Sequence, residues 1–194
     1  MRCDVPGCLQ ALEILNWKWK GTKLSGLRIY KAQPTLEPLP GDYGLVKMPG
    51  APAHIEAMLL GWRFSHAVVH VGHGQLVEAW FDCVRERTVA EYPAQDISWF
   101  GVRSAPDGGQ VPQSRRDRVV EYAISRLGQP YDYPAWPAVL IQDYWGIDLS
   151  GLYVFDPLAN CSALVAKAYQ AAGLNLINKQ VLNLVTPEDL NPES

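Results

Sequence analysis

Ser65-His66-Ala67-Val68-Val69-His70-Val71-Gly72-His73-Gly74-Gln75-Leu76-Val77-Glu78 is the stretch that decides how this chain folds. Apolar and polar residues alternate on both sides of Gly72-His73-Gly74, and glycines at such a turn supply the positive φ that a tight hairpin needs. The spacing predicts antiparallel strands over about 65–71 and 75–81. His66 and Glu78, twelve positions apart, then stand on neighbouring strands near the same level, within reach of an imidazole–carboxylate hydrogen bond.

The stretch gains chemical meaning beside Asn160-Cys161-Ser162-Ala163-Leu164-Val165. Asn160 is a favoured N-cap, and Leu164, Val165, Ala168 and Ala172 follow Cys161 at the spacing of one helical face. Gly173 closes the helix as a C′ residue. A thiol attacks as its thiolate, which a helix N-terminus and a nearby imidazolium both stabilise. Alone, Cys161 reads as an inert core thiol and His66 as an ordinary strand histidine. Together with Glu78 they form a nucleophile, a base and an orienting carboxylate.

Outward from the hairpin, strands are expected near 42–48, 84–91 and 97–103, with a short helix near 53–60 inserted before the histidine strand. Ser104-Ala105-Pro106-Asp107-Gly108-Gly109 is a turn. Ser114-Arg115-Arg116-Asp117 opens a helix over about 115–127 in the manner of a capping box. Residues 1–37 form an N-terminal extension packed on the core, with a helix near 8–18 and strand-like Leu27-Arg28-Ile29-Tyr30; residues 38–194 form the main domain. Between 131 and 156 lie Tyr131, Tyr133, Trp136, Tyr144, Trp145, Tyr153 and Phe155. They either fill core around a connecting helix near 135–145, ended by Gly146, or line an apolar cleft or lid.

Composition narrows the function classes. With 194 residues, 48% hydrophobic, 19% charged and a net charge of −3, the chain is an ordinary globular protein. It carries no Lys/Arg block, which argues against a nucleic-acid partner. Arg115, Arg116 and Arg118 are expected on a solvated helix face. No apolar run is long enough to span a membrane and no classical signal peptide is evident, so the expectation is a soluble protein, cytoplasmic unless delivered by another route. Four cysteines do not make a disulfide framework in a chain this long, and Cys3 and Cys8 are expected as reduced thiols. His66 and His70, four apart on a strand, are about 13 Å from each other, too far to share an ion. No metal and no cofactor are expected.

The motifs resemble a known family. His66, Gly72-x-Gly74 and Glu78 resemble the second half of the NlpC-type cell-wall peptidase core. Leu127-Gly128-Gln129-Pro130-Tyr131 and Asn160–Val165 resemble its first half. The order is reversed, as in the circularly permuted branch of these papain-like hydrolases, which also holds the lecithin-retinol acyltransferase-like enzymes. Pro40-Gly41-Asp42-Tyr43 and Val185-Thr186-Pro187-Glu188-Asp189-Leu190 agree with that branch, while Asn160 stands where the peptidases usually carry aspartate. The resemblance implies an α+β, permuted papain-like fold in which an antiparallel, barrel-like sheet packs on the cysteine helix. It further implies amide hydrolysis of peptides or peptidoglycan stems through an acyl-enzyme on Cys161, with His66 as base, Glu78 as orienter and Tyr131 as oxyanion or substrate contact. Two alternatives stay open: an acyltransferase or thioesterase acting on acyl esters at the same site, and a non-enzymatic binding module on this scaffold.

Overall fold

The glycine-turned hairpin forms where alternation and turn chemistry coincide. β3 (His66–Gly72) and β4 (Gln75–Ala79) are antiparallel, with Val69 opposite Val77 and His70 opposite Leu76, and the register shifts between His70 and Gly72. Gly72, His73 and Gly74 all have positive φ, 100°, 51° and 70°, a left-handed path that glycine adopts without strain. The computed structural model describes residues 27–48, 57–58, 60–133, 135–147, 160–179 and 181–194. The expected helix near 8–18, most of that near 53–60, Cys3, Cys8, Tyr153 and Phe155 lie outside them.

Four further strands complete a six-stranded antiparallel sheet in the order β1-β6-β2-β3-β4-β5. These are β1 (Gln33–Thr35), β2 (Tyr43–Val46), β5 (Val84–Thr88) and β6 (Ile97–Gly101). The architecture is mixed α+β. β1 lies in the proline-punctuated segment that sequence reading left without a strand; as an edge strand it tolerates Pro34, which has no N–H to give. The strand expected at Leu27–Tyr30 is instead a single parallel bridge, Ile29 with Asn175. β5 ends at Thr88, and the chain turns through a short 3-10 helix, Val89–Glu91, closed by a Thr88–Glu91 capping box.

Helix α1 (Gln113–Ser125) begins earlier than expected, behind an N-cap at Pro112 that offers no side-chain bond. The Ser114 capping box therefore does not form, because Pro112 sets the entry φ two residues upstream. α2 (Ala135–Trp145) is followed by Gly146 at φ 68°. α3 (Cys161–Ala171) starts as its residues dictate: the Asn160 side chain accepts from Ala163 N at 2.7 Å, and Gly173 takes φ 71° past the C-terminus.

α1 and α3 cover one face of the sheet. Tyr43, Leu45, Val69, Val77, Phe100, Val119, Leu164, Val165 and Tyr169 make the main core there, with Tyr30 and Ala32 from the first described segment. Asp42 ties this face to its surroundings: it is wholly buried, accepts from Leu39 N at 2.8 Å and holds Arg103 bidentately. The opposite face carries a smaller cluster of Val46, Val68, Leu76 and Ile97. Among the described residues no helix is long and apolar enough to cross a membrane.

Candidate active site

Cys161 is the first residue of α3 and 8% exposed, at the rim of the core stripe as its helical position implies. His66 is the first residue of β3, where pairing with β4 has already ended. Its imidazole is therefore able to meet both the outer face of the sheet and the N-terminus of α3. Nε2 bonds Glu78 Oε2 at 2.8 Å, which leaves Nδ1 free to act toward the Cys161 thiol, close enough for the two groups to perturb each other's ionisation. The contact with Glu78 is diagonal: continuing the observed register sets Glu78 opposite Val68 rather than level with His66.

Charges reinforce one another across these three groups. Burial works against each charged form, yet the neighbours outweigh it. His66 loses basicity to desolvation but regains more from the Cys161 charge, its hydrogen bond and Glu78, and is pushed up to about 9. Burial raises Glu78, while hydrogen bonds to His66, Tyr92 and Arg85 and the His66 charge bring it down to about 2. Burial raises the Cys161 thiol as well, but the His66 charge, with bonds from His66, the Ser162 hydroxyl and the Ala67 amide, sets it below its ordinary value. The geometry favours a thiolate–imidazolium pair.

His70 and His73 are not brought to this centre. His70 is buried on the same sheet face, edge-on to Trp99 with centroids 5.6 Å apart, its Nδ1 without a partner; His73 is exposed at the turn. No group of three His, Cys, Asp or Glu suited to a metal occurs among the described residues.

Several contributors went unseen in the sequence. His66 is flanked by the Trp80 edge at 5.3 Å and by the Tyr92 ring at 6.4 Å. Arg85 and Tyr92 both hold Glu78. Strand alternation places Glu78, Arg85 and Arg87 on one face once the β4–β5 register is known, and that register is the signal that was missing. Asn160, beyond capping α3, donates to Asn183 O at 2.7 Å; Asn183 in turn donates to the buried Asp132 at 2.5 Å, next to Tyr131.

A cleft opens over the sulfur. Trp62, Trp80, Phe81, Tyr131, Val139 and Val185 form much of its wall, and the described residues lining it include no Lys, Arg, Asp or Glu. Of the 131–156 aromatics, Tyr131 faces this cleft, whereas Tyr133 and Trp145 are 56% and 63% exposed. The core-filling role does not hold for those two. Cys161 is a free thiol and Cys83 is disulfide-bonded. The expectation that the cysteines build no disulfide framework is thus corrected at Cys83, since spacing along the chain does not report which positions the fold brings together. No protein-family model matches the chain, and no curated protein is significantly similar to it.

Proposed function

We propose that the protein is a cysteine hydrolase of the circularly permuted, papain-like NlpC type that cleaves amide bonds in peptides or peptidoglycan stems. One observation carries the reading: a buried carboxylate hydrogen-bonded to an imidazole, and a helix-N-terminal thiol whose ionisation that imidazole shifts, with the imidazole and the thiol both lining a cleft.

The Cys161 thiolate attacks the substrate carbonyl carbon; a C–S bond forms as the carbonyl electrons move onto oxygen. The α3 N-terminus, through the Cys161 N–H, and the Tyr131 hydroxyl are the donors for that oxyanion. Collapse breaks the C–N bond, and the His66 imidazolium gives its proton to the departing amine. Water then attacks the thioester, passing a proton to neutral His66, and expulsion of the thiolate restores the ion pair. Glu78 holds the ring and balances its charge throughout.

The aromatic and aliphatic side chains of the cleft wall favour a second reading in which acyl esters are the substrate. The test compares kcat/KM for muropeptides and model amides with that for short- and long-chain acyl esters, with covalent labelling of Cys161 followed by mass. Amides should be preferred, and Tyr131→Phe should lower their turnover about 10²-fold, the usual scale for one oxyanion donor. Efficient ester turnover without amide cleavage transfers the assignment to acyl-ester chemistry. No turnover of either, with an unreactive Cys161, leaves a binding module.

A further inference from the structure

Glu78 is held by more donors than the orientation of one imidazole requires. Besides His66, the wholly buried carboxylate receives Arg85 Nε at 2.9 Å and the Tyr92 hydroxyl, while Arg87 Nε stands 3.4 Å away as an ion pair without a hydrogen bond. Arg85 is fixed from a second direction as well, since its guanidinium lies 4.5 Å from the centroid of Trp80, the ring whose edge meets His66. This is a held cation. Arg87 is shared with the exposed Glu91, which draws its charge outward.

A carboxylate behind the histidine has two opposed effects on a thiolate–imidazolium pair. It stabilises the imidazolium, and it repels the thiolate on the far side of the ring; in a partly buried site neither effect is fully screened. A cation beyond the carboxylate cancels much of the repulsion at longer range while leaving the short His66–Glu78 bond intact. We propose that Arg85 is a positioning residue that completes an alternating row of thiolate, imidazolium, carboxylate and guanidinium, allowing Glu78 to hold His66 without discharging Cys161. This inference rests on the cysteine-hydrolase reading and adds the regulation of its nucleophile. The other titratable or charged groups facing the row among the described residues are Arg87, Glu91, Tyr92 and Tyr131; the neighbours contributed by α3 and the C-terminal segment, Asn160, Ser162 and Thr186, are neutral.

The experiment is the rate of iodoacetamide alkylation of Cys161 against pH, with the modified residue identified by mass. The wild type should show two inflections, a lower one for formation of the thiolate and an upper one for loss of the His66 proton. Removing a positive charge makes both protons harder to lose, so Arg85→Gln should raise both inflections by roughly one pH unit. Arg85→Lys, which retains the charge, should stay closer to the wild type, and Arg87→Gln should shift both inflections in the same direction by less. A role confined to holding the fold would lower the rate without moving the inflections; that outcome in Arg85→Gln, or an equal displacement in Arg85→Lys, overturns the inference while leaving the proposed function standing. A wild-type profile with the single inflection of an ordinary thiol overturns both. Should Arg85→Gln fail to fold, Arg87→Gln decides: an upward shift of both inflections supports the charge row, and none overturns it.

Discussion

The two faces of the sheet divide the labour between them. The face under α1 and α3 is almost wholly apolar where β2, β3 and β6 cross it, with Tyr43, Leu45, Val69 and Phe100 each at most 2% exposed. The other face has a small apolar cluster beside His66, Glu78, Arg85, Arg87 and Tyr92, a polar group that is costly to bury unless every member is paired. Burial on the first face supplies stability, and the paired charges on the second are those the proposed thiol chemistry draws on. They meet where His66, at the end of β3 beyond its pairing with β4, lies beside the first residue of α3.

Substitutions on either side of that junction should therefore fail in different ways. Cys161→Ala should reduce turnover by about 10⁴-fold or more while the unfolding midpoint stays near that of the wild type. Phe100, stacked on Tyr43 with centroids 5.6 Å apart and edge-on to Phe64 at 6.5 Å, belongs to the other side. Phe100→Ala should cost about 3–5 kcal/mol in denaturant unfolding. It should leave the pH profile of Cys161 alkylation in the folded protein unchanged. A Phe100→Ala profile shifted to that of an ordinary thiol would break the division, because the packing face would then be setting the chemistry.

A finer separation concerns the histidines and their carboxylate. His66→Ala should remove most turnover, while His70→Ala, which alters only the contact with Trp99, should keep it. Glu78→Gln should be milder than His66→Ala, since an amide oxygen still accepts the imidazole N–H but carries no charge. That variant also has a pH signature in stability. Glu78 lies at about 2 in the folded protein against 4.5 ordinarily, so its contribution is complete above 4.5 and disappears as pH falls toward 2. His66 lies at about 9 against 6.5, so its contribution is complete below 6.5 and is lost as pH rises through 9. The stability gap between wild type and Glu78→Gln should be widest between about pH 4.5 and 6.5 and narrow on both sides. A gap that does not vary with pH would show that the carboxylate acts by packing alone.

What the chain discloses in advance follows the range of each signal. The β3–β4 hairpin and the α3 start were legible because their causes are local: positive φ at Gly72 and Gly74, period-two alternation, an Asn160 cap and a helical stripe. The meeting of His66, Glu78 and Cys161 was legible only as a combination of such local pieces. Arg85 and Tyr92 were not, because their approach to Glu78 depends on the β4–β5 pairing and on the 3-10 turn after Thr88. β1 was hidden by Pro34, which suits an edge strand but weakens any strand pattern. Pro112 rather than Ser114 starts α1, since two competing N-terminal signals lie two residues apart.

The smallest expected effect lies at the junction itself, in the link between the nucleophile helix and the loop that carries Tyr131. Asn160 Oδ1 caps Ala163 N, its Nδ2 donates to Asn183 O, and Asn183 passes the connection to Asp132, whose Oδ1 accepts Ala135 N at 3.3 Å. Asn160→Ser retains a capping oxygen but not the amide donor, so it should cost about 1 kcal/mol, the net value of one hydrogen bond. Asn160→Ala loses the cap as well and should cost about 1 kcal/mol more. Thermal or denaturant unfolding measures both. Because the serine variant keeps the helix start intact and severs only the bond to Asn183, any loss of turnover it shows beyond its loss of folded protein reports on the link to Asp132 and Tyr131. A fall of a few-fold in kcat with the alkylation inflections unmoved would mean that this link sets oxyanion geometry and not thiolate formation. A shift in those inflections equal to that of Arg85→Gln would instead move Asn160 into the charge row and blur the boundary between the two faces.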